Sequence, residues 1–177
     1  LPKYTGQDYK ICGIGSKNYD LRNQHACRKA LEYHNPDVIV HAAGSVGGIG
    51  ANQENPGKFM YENLIMGTNL IEEARNQLVP KFILLGTVCS YPKHTPTPFL
   101  ESYLWEGYPE ETNAPYGVAK KSLYVMLDAY YKQYGMNSTI LVPSNLYGPN
   151  DNFEDESSHV IPALIKKIYQ AREANYP

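Results

Sequence analysis

Three cysteines, Cys12, Cys27 and Cys89, are all the thiol in this 177-residue chain, and no two of them stand in a C-x-x-C spacing. That argues against a zinc-ribbon site and against a disulfide framework. Charge of one sign is missing too. Sixteen Lys and Arg against 18 Asp and Glu give a formal net charge of −2, which provides no electrostatic case for nucleic acid or a membrane surface as partner. No apolar run approaches the ~20 residues that cross a bilayer, and the opening "LPKYTGQDYK" lacks the apolar centre of a secretory leader. Internal repeats and low-complexity segments are absent as well. What remains is a globular protein of ordinary composition, long enough for one well-filled α/β domain and short for two. A reducing cytoplasm is its expected location.

Short apolar runs alternate with longer segments of helical spacing. Strands are predicted over residues 9–14 ("YKICGI"), 37–43 ("DVIVHAA"), 81–86 ("KFILLG") and 138–143 ("STILVP"). Their apolar runs are continuous rather than alternating, which predicts strands covered on both faces of a parallel sheet. Helices are predicted near 23–34, 57–77 and 116–134, and from about 159 to 174. In the second of these, Met66, Leu70, Ala74 and Leu78 recur every four residues, which lays one apolar face on the sheet. The alternation implies right-handed crossovers and a doubly wound parallel sheet of Rossmann type. In such sheets ligands bind beyond the carboxyl ends of the strands.

Two motifs fall at those ends. "GSVGGIG" places Gly44, Gly47 and Gly50 in G-x-x-G-x-x-G after a strand. The segment "NQENPGK" separates them from the helical pattern, and no acidic residue closes a strand about 20 positions on, as a ribose-binding carboxylate should. The loop therefore reads as passing close to another part of a cofactor or substrate. "GTVCSYP" puts a hydroxyl, Thr87, two residues from a thiol, Cys89. Twenty-nine positions after Thr87 comes "PYGVAKK", with Tyr116 and Lys120 at i and i+4 on one helix face. By spacing alone such a pair is an ordinary amphipathic surface pair. Pro115 marks a helix start, so the pair is expected in the first turn, facing the cleft. A lysine beside a phenol stabilises phenolate and draws its pKa below the usual value of about 10, and a phenol so tuned exchanges a proton with a carbonyl or alcohol oxygen. Cys89 taken alone is a small buried hydrophobe. His159 taken alone neighbours a helix cap, with Ser157 or Ser158 as the N-cap. The 16 tyrosines are spread along the chain as packing residues, and "NFEDESS" reads as a solvated acidic loop.

Taken together, strand–Gly–Thr-x-Cys, Tyr-x-x-x-Lys, "PSNLYGPNDNF" and "SHVIPALIKK" resemble the extended short-chain dehydrogenase/reductases, and within them the GDP-L-fucose synthase branch. The resemblance runs from "KNYDL" to "IKK", nearly the whole chain. Tyr-x-x-x-Lys marks only the superfamily; the thiol after the hydroxyl and the "PSNLYGPNDNF…SHVIPAL" segment mark the branch. The resemblance implies a 3,5-epimerase and NADPH-dependent 4-reductase acting on GDP-4-keto-6-deoxy-D-mannose. It gives Thr87 and Tyr116 the C4 keto oxygen, with Tyr116 as proton donor. Lys120 binds the nicotinamide ribose, and Cys89 and His159 are the base and acid of epimerisation. Thr87 stands where members generally carry serine.

The implied NADP(H) contacts begin with Ser16, Lys17, Asp20 and Leu21, and continue at Ala42 and Ala43. Leu85, Gly86 and Thr87 follow, then Tyr116 and Lys120. Pro143, Asn145, Leu146 and His159 complete them. Substrate contacts fall on Thr87, Cys89, Tyr116, Asn145 and Lys167. Lys17 takes the place of the basic residue that the family often puts near Ser16 for the 2′-phosphate. The family's first strand and phosphate loop are expected ahead of Leu1, and its substrate domain after Pro177. Residues 1–177 thus correspond to a partial Rossmann-like domain, with the substrate-binding region starting from about 148. A homodimer is implied by the same resemblance. Two rival readings stay open: another NAD(P)-dependent nucleotide-sugar epimerase or dehydratase, and a non-catalytic member of the fold.

Overall fold

A computed structural model describes residues 9–47, 49–155 and 158–174. Three short strands, β1 (Val38–His41), β2 (Lys81–Leu85) and β3 (Ser138–Leu141), form one sheet in the order β1-β2-β3, parallel throughout. Among the described residues five α-helices accompany them: α1 (Gln24–His34), α2 (Ile49–Glu54), α3 (Pro56–Asn76), α4 (Ala114–Tyr134) and α5 (Val160–Glu173). His41 pairs with Leu84, and Leu85 with Leu141, so the strands finish side by side and open onto one edge.

Local chemistry sets the helix ends. The Asn23 side chain accepts the N–H groups of His25 and Ala26, closing the start of α1. Proline stands in the first turn of both α3 and α4, where its missing N–H costs nothing. α4 stops at Gly135, whose φ of 68° lets its N–H return to Tyr130 and Tyr131. The Glu110 carboxylate accepts the N–H groups of Thr112 and Asn113, both at 3.2 Å, and so anchors the entry to α4.

α1, α3 and α4 gather on one face of the sheet. There Phe82, Leu84, Ile71, Leu123 and Leu127 are fully buried, each stabilising the fold by about 1.5–3 kcal/mol. α3 and α4 lie against each other at Gly67, where a Cβ would meet Leu123 Cδ1 at 2.2 Å.

Three expectations are corrected here. Residues 9–14 are not a strand: they are irregular, and Tyr9, Ile11 and Ile14 are exposed. A strand exists only through its ladder, and residues 10–14 stand outside the described ladders. Among the described residues the sheet is not covered on both faces either. Ile39 and His41 are buried while Val38 and Val40 are 50% and 58% exposed, because the packed helices all cross one side. Finally, Leu78 lies beyond the end of α3 at φ 53° and is exposed. The face of α3 that is buried carries Phe59, Asn63, Gly67, Leu70, Ile71 and Ala74.

Candidate active site

β2 ends at Leu85, and the chain turns through Gly86 and Thr87 into a 3-10 turn, Val88–Ser90. Thr87 caps this turn: its Oγ1 accepts the Cys89 N–H at 3.2 Å, which leaves the hydroxyl proton free to be donated. α4 rises alongside. Tyr116 is in its first turn, but Lys120 is in the second, one turn deeper than the sequence predicts. The lysine is 3% exposed and donates from Nζ to Leu85 O at 3.1 Å. The strand end thus holds the ammonium, and Thr87, Cys89, Tyr116 and Lys120 come together beyond β2.

Electrostatics here run against one expectation. Burial pushes the Tyr116 phenol up to about 12; a nearby Cys89 charge adds to the rise, and a side-chain hydrogen bond with Thr87 opposes it. Burial also pulls Lys120 down to about 8. The phenol is therefore not acidified by Lys120, because desolvation disfavours both ions and outweighs a lysine held at Leu85 O. Tyr116 is a protonated donor at neutral pH, which suits delivery of a proton to an oxygen.

Beneath them, at the end of β1, His41 is 2% exposed with its Nδ1 unpartnered. Burial first, and the Lys120 charge second, push its pKa down to about 3. A group whose folded pKa is depressed below its unfolded value of about 6.5 contributes stability that is complete above that value and is lost as pH falls through the folded one. His41→Leu in the full-length protein is expected to flatten the fall of the thermal midpoint between pH 6.5 and about 3. Acid limbs that stay parallel in variant and wild type would contradict it.

A cleft of about 260 Å³ opens beside the end of β1, lined among others by Ser16, Asp20, Leu21, Ala43, Gly44 and Ser45. Four of the residues assigned to the cofactor thus share one cleft; Lys17 and Ala42 are exposed next to them in the chain. Asn63 ties the glycine loop to α3: its Oδ1 accepts the Ser45 N–H at 3.0 Å, and its Nδ2 donates to Ser45 O at 2.8 Å. α2, only six residues long, takes in Gly50 and the first part of the segment that the sequence sets apart from the helical pattern. At the cleft rim Arg22 donates to both oxygens of Asp20 and, at 2.7 Å, to Glu62.

The remaining assigned residues are more dispersed. Pro143, Asn145 and Leu146 follow β3 in irregular chain, the latter two exposed. Lys167 is exposed on α5, a helix whose single buried residue is Pro162. His159 is itself the N-cap of α5, exposed and making no side-chain cap bond. That corrects the expected serine cap: Ser158 precedes the cap position, and Ser157 lies outside the described residues. No described hydrogen bond or ion pair joins His159 to Cys89.

Sequence reasoning misses Arg22, His41, Ser90 and Tyr124. Tyr124 carries a usable signal, since Tyr116, Lys120 and Tyr124 recur every four residues on one face of α4.

A parallel sheet with a hydroxyl-bearing turn at the end of β2 and a Tyr-x-x-x-Lys pair on the helix beside it is the arrangement of a short-chain dehydrogenase/reductase. The family model described as the NAD dependent epimerase/dehydratase family matches residues 3–176, and the chain belongs to that family. Within it, the chain is 41% identical over 168 residues to the GDP-L-fucose synthase of Sinorhizobium fredii, covering 95% of this chain and 54% of that protein. It is 38% identical to the GDP-L-colitose synthase of Yersinia pseudotuberculosis, covering 98% and 56% of the two chains. A GDP-L-fucose synthetase from Naegleria fowleri, solved bound to NADP, superposes with a TM-score of 0.84 at 32% identity, over 93% of this chain and 54% of that one. The chain thus spans about half the length of the curated relatives it matches. Among the described residues no helix is long and apolar enough to cross a membrane.

Proposed function

We propose that the full-length protein converts GDP-4-keto-6-deoxy-D-mannose to GDP-L-fucose, inverting C3 and C5 and then reducing C4. The convergence of Thr87, Cys89, Tyr116 and Lys120 beyond β2 carries this reading, and the similarity to GDP-L-fucose synthases over nearly the whole chain supports it.

C3 and C5 both flank the keto group, so their hydrogens are acidic once the enolate oxygen is stabilised. The Thr87 hydroxyl and the protonated Tyr116 phenol donate to that oxygen. Cys89 as thiolate removes the proton from one face, and His159 returns one on the other. In the second stage Tyr116 gives its proton to O4 as C4 is reduced. One oxygen-binding site serves both stages.

NADPH, when bound, supplies the hydride. The fit to such a cofactor rests on the cleft beside β1 and on Lys120, which gives one ammonium proton to Leu85 O and keeps two for ribose hydroxyls. Selectivity for the 2′-phosphate is expected to be modest. Arg22 is committed to Asp20 and Glu62, and Lys17 offers a point charge rather than a bidentate guanidinium. The ratio of kcat/KM for NADPH over NADH is expected to stay below roughly a thousandfold; a larger ratio means that another group recognises the phosphate. We further read the enzyme as a cytoplasmic homodimer, a reading that the family resemblance supports.

The functional test supplies the full-length protein with the keto sugar and NADPH and identifies the product by NMR. GDP-L-fucose is expected. A GDP-6-deoxyhexose with C3 and C5 unchanged would favour the second reading, a 4-reductase without epimerase activity, for which the exposed position of His159 speaks.

A further inference from the structure

The turn that carries Thr87 and Cys89 is fastened to the helix that carries Tyr116 and Lys120 by a chain of buried hydrogen bonds. The Thr87 N–H donates to Tyr124 Oη at 2.9 Å. Tyr124 Oη and Ser90 Oγ lie 3.1 Å apart, and Ser90 Oγ donates to Gly117 O at 3.1 Å. Since the serine proton goes to Gly117 O, the phenol proton goes to Ser90, and the sequence runs in one direction from the Thr87 amide to Gly117 O. Every member is satisfied, as a buried polar network requires. Ser90 is fully buried and Tyr124 is 4% exposed.

Two glycines show how closely the pieces meet. A Cβ on Gly117 would lie 2.2 Å from Cys89 O, and one on Gly86 would lie 2.4 Å from Tyr124 Oη. Turn and helix touch at backbone distance, so the turn has no room to slide along the helix while the chain of bonds is intact. In the described hydrogen bonds Tyr124 and Ser90 meet the Thr87 amide, each other and Gly117 O, and none of the Thr87, Cys89, Tyr116 or Lys120 side chains.

We propose that Tyr124 is a positioning residue whose phenol, acting with Ser90, sets the placement of the Thr87–Cys89 turn against the Tyr116–Lys120 helix. Its catalytic consequence rests on the functional reading above. Tyr124→Phe preserves the ring in the buried core and removes only the hydroxyl, so the Thr87 amide loses its partner in a buried site. The turn then relaxes, and because Thr87 and Cys89 ride on it together, enolisation and reduction decline together. That joint loss separates Tyr124 from Cys89, whose own replacement spares reduction.

The experiment uses Tyr124→Phe, Ser90→Ala and the double variant of the full-length protein. Turnover is measured with the keto sugar, and the 13Cζ resonance of Tyr116 is followed in tyrosine-labelled protein at pH 7, where it reports the hydrogen bond with Thr87. Each single variant is expected to lower kcat for reduction and the rate of deuterium exchange by similar factors, roughly tenfold or more, since displacements of about 1 Å cost up to a hundredfold. KM for the sugar should stay within about twofold. The double variant should lose little beyond the worse single, because both substitutions cut one chain of bonds. The Tyr116 resonance should move in both singles. Unchanged kcat and an unmoved Tyr116 resonance, with only a lower thermal midpoint, would overturn the proposal and leave Tyr124 as core packing. Should Tyr124→Phe not fold, Ser90→Ala decides the matter on the same readouts. If the wild type does not turn the sugar over, the functional reading falls, while the Tyr116 resonance still decides whether Tyr124 positions the turn.

Discussion

Tyr116→Phe in the full-length protein is expected to slow NADPH-dependent reduction of the keto sugar by about a hundredfold or more. The variant keeps the ring, and with it the packing at the start of α4, and removes the phenol proton that is transferred to O4, while the Thr87 hydroxyl remains only as a hydrogen-bond donor to that oxygen. Burial holds that phenol at about 12, so in the wild type it is protonated throughout the neutral range and its removal is not offset by a pH change. Exchange of the C3 and C5 hydrogens should slow as well, but less, because the Thr87 hydroxyl still supports the enolate oxygen. The decay of NADPH absorbance under single-turnover conditions reads the effect directly. A loss below about tenfold would show that the proton reaches O4 from another group.

The second large effect is expected at Cys89. Cys89→Ser exchanges the thiol for an alcohol, which forms an anion far less readily than a thiol does. The substitution is nearly isosteric, and the backbone N–H of residue 89 still donates to Thr87 Oγ1, so the turn keeps its cap. Solvent exchange at C3 and C5 should fall steeply, whereas a substrate already inverted at both carbons should be reduced at close to the wild-type rate. The signature is the reverse of the one expected for Tyr116→Phe. It is distinct from the joint loss expected for Tyr124→Phe.

The central elements of the site are legible in the sequence for physical reasons. An apolar run that stops at Gly-Thr-x-Cys can be read as a strand end, and a proline followed by Tyr-x-x-x-Lys as a helix start; β2 and α4 answer both readings. Other features are not local. Residues 9–14 have the composition of a strand, but composition does not supply a ladder partner. Val38 and Val40 read as buried because a continuous apolar run does not tell how many helices will cover it. The protonation of Tyr116 turns on desolvation of the phenol by burial, which a spacing of four from a lysine does not reveal. Tyr124 looks like one of 16 tyrosines until the Thr87 amide and Ser90 are seen to meet it.

The claim that one oxygen-binding site serves two separable chemistries is tested most directly by deuterium wash-in at C3 and C5. The reaction is followed by NMR in deuterated buffer with full-length wild type and Cys89→Ser, beside NADPH oxidation on a pre-epimerised substrate. The account predicts that the wild type labels both carbons, and that Cys89→Ser labels neither at a comparable rate while it still oxidises NADPH. Wild-type labelling at both carbons by Cys89→Ser would contradict it, and would reduce the thiol to a structural neighbour of a simpler reductase.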